Sequence, residues 1–178
     1  MNGSGKDLLL QLIISGAVIM DCRKGRIKNW LIAAGLLAGI MIQILEREIQ
    51  PARLLAGVLF PVLCCSGLFI IRALGAGDIK LFMVIGVFQE FKYLVTCIVF
   101  SFAAGAVISF SRLLINKNLF ESLWGFYRYI QQTITTGKIK YYPGRDNKKQ
   151  QIHFSIAVLS GFLMTMGVKY VGAVTDFI

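Results

Sequence analysis

Charge is what this chain has least of. Only 16% of its 178 residues are charged, 56% are hydrophobic, and the mean hydropathy is +0.69. An ordinary soluble domain of this length needs more polar surface than that. The composition implies a polytopic membrane protein, one unit over residues 1–178 rather than two domains. The four cysteines, Cys22, Cys64, Cys65 and Cys97, contain no C-x-x-C pair. A zinc or disulfide framework is therefore excluded, and the cysteines read as small apolar residues. There is one histidine, His153, and no internal repeat. The first apolar run has no basic residue before it except Lys6 and no clean small-residue cleavage site, so it does not read as a secretory signal.

Six apolar segments are present, at about Leu8–Cys22, Trp30–Leu45, Leu54–Ile71, Ile79–Gln89, Tyr93–Ile115 and Ile152–Val174. The expected fold is all-α with six transmembrane helices. The first and fourth segments are short against the roughly 20 residues of a full span, and each borders an aspartate. A helix that stops at the membrane boundary leaves room there for water and substrate.

The connections differ in charge. Arg23, Lys24, Arg26 and Lys28 follow the first segment, and Arg72 and Lys80 follow the third. The fifth loop holds Arg128, Lys138, Lys140, Arg145, Lys148 and Lys149 among its bases, against Glu121 and Asp146. On the other side Glu46, Arg47, Glu48 and Arg53 offset one another, as do Glu90 with Lys92 and Lys169 with Asp176. Basic loops stay in the cytoplasm, which puts loops one, three and five inside and both termini outside. The net charge of +10 is then a topology signal that also attracts anionic lipid, not a nucleic-acid footprint.

Residues 116–151 form a cytoplasmic or interfacial loop. Phe120, Leu123, Trp124, Tyr127, Ile130 and Ile134 recur at helical spacing, which predicts a short helix lying in the interface. The polar stretch after it reads as a tether or a gate.

Asp21 ends the first segment and Asp78 begins the fourth, both on the cytoplasmic side. An ionisable residue at membrane depth is costly and points to function. Two carboxylates sharing one proton can activate a water and protonate a leaving amine. Gly75 and Gly77 remove Cβ atoms where Asp78 must approach a second helix or a substrate backbone. On these residues alone a second account is equally open. Asp21 could pair with Arg23 and Lys24 at the interface, and Asp78 could be a helix-start acid facing the dipole.

Gly75-Ala76-Gly77-Asp78-Ile79-Lys80-Leu81, with Gly86 beyond, resembles the G-x-G-D signature of type IV prepilin peptidases. The other half of that signature is an aspartate, basic residues and I-P-N. Here it reads Asp21-Cys22-Arg23-Lys24-Gly25-Arg26-Ile27-Lys28-Asn29. Two prolines depart from the pattern. Lys28 replaces the proline of I-P-N, and Ile152-His153-Phe154-Ser155 replaces an I-P-F type motif. The tetracysteine insert of the long bifunctional members is missing, so the resemblance is to the short, peptidase-only form. Met20 precedes the first acid where presenilin-type proteases have tyrosine.

The resemblance implies an aspartyl endopeptidase of the prokaryotic plasma membrane, with Asp21 and Asp78 catalytic and Gly75, Gly77, Lys80 and Asn29 supporting. Lys80 is placed to meet a lipid phosphate or a substrate carboxylate, and His153 reads as an interfacial helix-end residue. The substrate would be a pilin-like precursor with a short basic leader, cut at the cytoplasmic face, with no metal or organic cofactor. The alternative classes are a proton- or ion-coupled transporter and a non-catalytic scaffold. The motifs leave the oligomeric state unspecified.

Overall fold

A computed structural model describes residues 3–46, 50–70, 73–115 and 154–175. These form α1 (Gly3–Lys24), α2 (Asn29–Leu45), α3 (Pro51–Ile70), α4 (Ala76–Phe88), α5 (Phe91–Ile115) and α6 (Phe154–Thr175). Among the described residues there is no strand. The chain divides into two compact units, residues 1–105 with 153–178, and residues 106–152. Of the second, the described part is the last stretch of α5. The expected interfacial helix in 120–134, the polar excursion after it and His153 lie outside the described residues.

Local chemistry sets the helix ends. Gly25 adopts φ 63°, a left-handed conformation that costs glycine nothing, and its N–H bonds the Asp21 carbonyl at 2.7 Å. That cap stops α1 three residues past Asp21. Lys28 then starts α2 in extended geometry, with φ −74° and ψ 136°. Gly75 starts α4 at φ −80° and ψ 147°, and its carbonyl accepts from the amides of Asp78 and Ile79. No left-handed backbone is needed at Gly75.

The first helix differs from expectation. It has 22 residues, not the short run from Leu8. Lys6 and Asp7 continue the helix at one end, and Arg23 and Lys24 at the other. Only α4 remains short. Its 13 residues span about 20 Å.

α4 is the centre of the first unit, packed by α1, α2, α3 and α6. Beyond Lys80 it is apolar on every side, as an enclosed helix must be. Asp78, Ile79, Leu81, Phe82 and the run Val84–Phe88 are all buried. Glycines on its neighbours allow the close approach. A Cβ on Gly57 of α3 would overlap the Gly86 carbonyl of α4, lying 2.8 Å from its carbon, and a Cβ on Gly86 would overlap Gly57 in return. On α2, Gly39 faces Val87 and Phe88. Gln43 of α2 donates to the Val87 carbonyl at 2.6 Å, satisfying one of the acceptors that α4 leaves free at its C-terminus.

The outer faces are apolar. Leu37, Met41 and Leu45 on α2, and Leu55, Leu59 and Leu63 on α3, are exposed. Among the described residues, three helices are long and apolar enough to cross a membrane, Pro51–Ile70, Phe91–Ser111 and Phe154–Gly172, and Asn29–Leu45 is a shorter apolar one. Leucine exposed along such helices fits hydrocarbon surroundings rather than water.

Candidate active site

Asp21 lies in the last turn of α1 and Asp78 in the first turn of α4. α1 packs on α4, and Ile27 of the α1–α2 link lies against Gly77, so the fold brings the acid-bearing ends of the two helices together. Their surroundings differ. Asp78 is 9% exposed, and the Gly75 backbone N–H acts on its carboxyl. A Cβ on Gly75 would lie 3.0 Å from Asp78 Oδ2, so the bare glycine leaves room for that carboxyl. Asp21 is only partly buried. Its Oδ2 accepts a hydrogen bond from the Ser155 hydroxyl at 2.7 Å.

The dipoles of the two helices treat the acids oppositely. The N-terminus of α4 favours a carboxylate at Asp78. The C-terminus of α1 disfavours one at Asp21, so Asp21 needs donors from elsewhere. Ser155, in the first turn of α6, supplies one across 134 positions of sequence.

The link between α1 and α2 is laid against the start of α4. Ile27 meets the bare Cα of Gly77, where an added Cβ would come within 3.4 Å of it. Lys80 donates to Asn29 Oδ1 at 3.0 Å, an exposed bond joining α4 to α2. The structure thus gathers Asp21, Asn29, Gly75, Gly77, Asp78 and Lys80 at one end of the helices. Lys80 meets Asn29 there. At Lys28 the φ of −74° lies within proline's own range, so the backbone keeps the shape a proline would impose.

The sequence reading missed Ser155. The residue lies one position past the I-H-F stretch, and no local pattern marks it. It also missed Asp7, which Lys6 precedes and which therefore looked like an ordinary flank. Asp7 is 7% exposed. Its carboxylate accepts from Gln89 at 2.5 Å, from Lys169 at 2.9 and 3.1 Å, and from the Tyr170 hydroxyl at 3.1 Å. Lys169, expected to offset Asp176, is paired with Asp7, and Asp176 lies outside the described residues. Glu46 pairs with Lys6 beside this cluster. Fourteen residues separate Asp7 from Asp21, about 21 Å along α1, so the helix carries one buried or half-buried acid near each end.

Two carboxylates that share a water can pass protons to and from it in both directions. Residues 8–110, more than half of the chain, match the sequence profile of the Type IV leader peptidase family. No curated protein and no solved structure gives a significant match. The chain belongs to the Type IV leader peptidase family and is a leader peptidase-like protease. The matched stretch contains both acids, Asn29, Gly75, Gly77 and Lys80, and ends before α6.

Proposed function

We propose that this member of the Type IV leader peptidase family is a membrane aspartyl endopeptidase in which Asp21 and Asp78 form the catalytic pair. The substrate is a prepilin-like precursor with a short basic leader followed by an apolar helix. Cleavage falls at the cytoplasmic face of a prokaryotic plasma membrane, just before that helix. The chain works as one peptidase domain of six membrane helices, both termini outside, among anionic lipids.

The observation that carries this reading is the convergence of the two acids. They are 57 positions apart in sequence, yet one ends α1 and the other begins α4 where Ile27 of the α1–α2 link lies against Gly77. In the reaction one carboxylate takes a proton from water as its oxygen bonds the peptide carbonyl carbon. The other carboxyl gives its proton to the carbonyl oxygen. The tetrahedral intermediate then collapses, the C–N bond breaks, and the amine nitrogen takes up the proton first removed from water. The carbonyl re-forms and returns the second proton, which restores the pair. The α4 N-terminus and the partly open side of Asp21 give an extended leader a place to lie against the membrane boundary.

The test is proteolysis by the purified full chain in lipid vesicles of a pilin-like precursor, with the product's N-terminus read by mass spectrometry. A single cut at the junction of leader and apolar helix is the expected result. Cuts only within the apolar helix would replace this reading with intramembrane proteolysis, and no cut would favour a non-catalytic chain.

A further inference from the structure

Ser155 is buried completely, yet it is polar and lies in the first turn of an apolar helix. A buried hydroxyl needs a partner, and this one donates to a carboxylate oxygen of Asp21 at 2.7 Å. A bond to an ionised acceptor is stronger and more directional than a neutral one. It holds Oδ2 and so restrains the rotation of the carboxyl group.

Ser155 is itself well anchored. The neighbouring Phe154 ring packs edge-on against Phe82 of α4, with centroids 6.4 Å apart, and lies 5.5 Å from Phe102 of α5. Gly105 of α5 gives that ring its space, since a Cβ there would come within 2.8 Å of it. Phe82 is four residues after Asp78, one helical turn along the same face of α4. The dipeptide Phe154-Ser155 therefore touches both acid-bearing helices. Its aromatic ring is seated on the helix of Asp78 and its hydroxyl holds Asp21.

We propose that Ser155 is a positioning residue for catalysis, which orients the Asp21 carboxylate toward Asp78 from a helix seated by Phe154. This rests on the reading of Asp21 and Asp78 as the catalytic pair. It assigns a working part to α6, which lies outside the stretch that matches the family.

The experiment compares wild type, Ser155→Ala and Ser155→Thr, each full-length in lipid vesicles, for kcat and KM on the pilin-like precursor. Ala removes the donor and Thr keeps it. Misplacing a reacting group by a fraction of an ångström to an ångström costs up to about 100-fold in rate. The expected result is a kcat roughly 10–100-fold lower for Ser155→Ala at unchanged KM, with Thr recovering most of the loss. A merely structural role would move stability and leave Thr no better than Ala. Wild-type kcat in Ser155→Ala, or equal losses in Ala and Thr, would overturn the inference. A wild type that cuts no leader would instead overturn the peptidase reading, and this inference with it.

Discussion

Lys169 on α6 donates to both carboxylate oxygens of Asp7 on α1, at 3.1 and 2.9 Å, across 162 positions of sequence. Gln89, at the end of α4, donates to the same carboxylate and accepts from the same lysine. Three helices are thus tied at one end of the bundle by a single carboxylate. The opposite end of α1 is tied by Ser155 on Asp21. α1 is held at both ends, and its register against α4 sets where Asp21 lies.

Breaking the Asp7 cluster on one side should therefore cost stability. Lys169→Met leaves a buried carboxylate with only neutral donors, and the loss should be about 1–3 kcal/mol. The lower half of that range is expected, because the Lys169 side chain is 26% exposed. Asp7→Asn should cost less than Lys169→Met, because the charge it leaves unpaired, the Lys169 ammonium, is on a side chain 26% exposed and can be solvated, whereas the Asp7 side chain is 9% exposed. Unfolding of the detergent-solubilised protein checks both, and equal stability of Lys169→Met and wild type would contradict the assignment.

The contact between Gly57 and Gly86 is backbone against backbone, so no side chain can move aside for an added methyl group. Gly57→Ala and Gly86→Ala should each destabilise by about 1–3 kcal/mol or more, the usual cost of overpacking. Gly67, which has open space where a Cβ would go, is the control. Gly67→Ala should be neutral or slightly stabilising in the same thermal-denaturation assay.

Lys28 already occupies proline-compatible geometry at φ −74°. Lys28→Pro should fold normally and gain about 0.4–1 kcal/mol from a less flexible unfolded chain. A destabilised variant would show that the Lys28 N–H or side chain has a role beyond backbone shape.

Cys22 is exposed at the end of α1 beside Asp21, and Lys92 is exposed at the opposite, outer side of the proposed topology. In a Cys64→Ser background, a membrane-impermeant thiol reagent should label Lys92→Cys in intact right-side-out vesicles. Native Cys22 should be labelled only after permeabilisation. Labelling of Cys22 from outside would invert the topology.

The helices and the end of the bundle that carries the acids were legible in sequence, because apolar runs and the glycines beside Asp78 are local signals. Asp21 and Asp78 could be singled out because each stands at the edge of an apolar run. The partners of buried polar groups were not legible. Ser155 reaches Asp21 and Lys169 reaches Asp7 only through tertiary packing, at separations where no periodicity acts. The first helix looked short for a related reason. Lys6 and Asp7 resemble a solvated flank until their partners are in place, and then both fit inside the helix. Gly86 looked like part of a motif, and its physical role is to admit the Gly57 backbone.

The most direct test is cleavage of a co-expressed pilin-like precursor by wild type, Asp21→Asn, Asp78→Asn and the double variant. Asn keeps the size of each side chain and removes its ability to carry a proton. Wild type should cut at the leader boundary, and each single variant should lose about 10²–10⁴-fold in rate. The double variant should be no worse than either single one, because the two acids act as a unit. Single variants that insert normally and cut at the wild-type rate would contradict the paired-aspartate account.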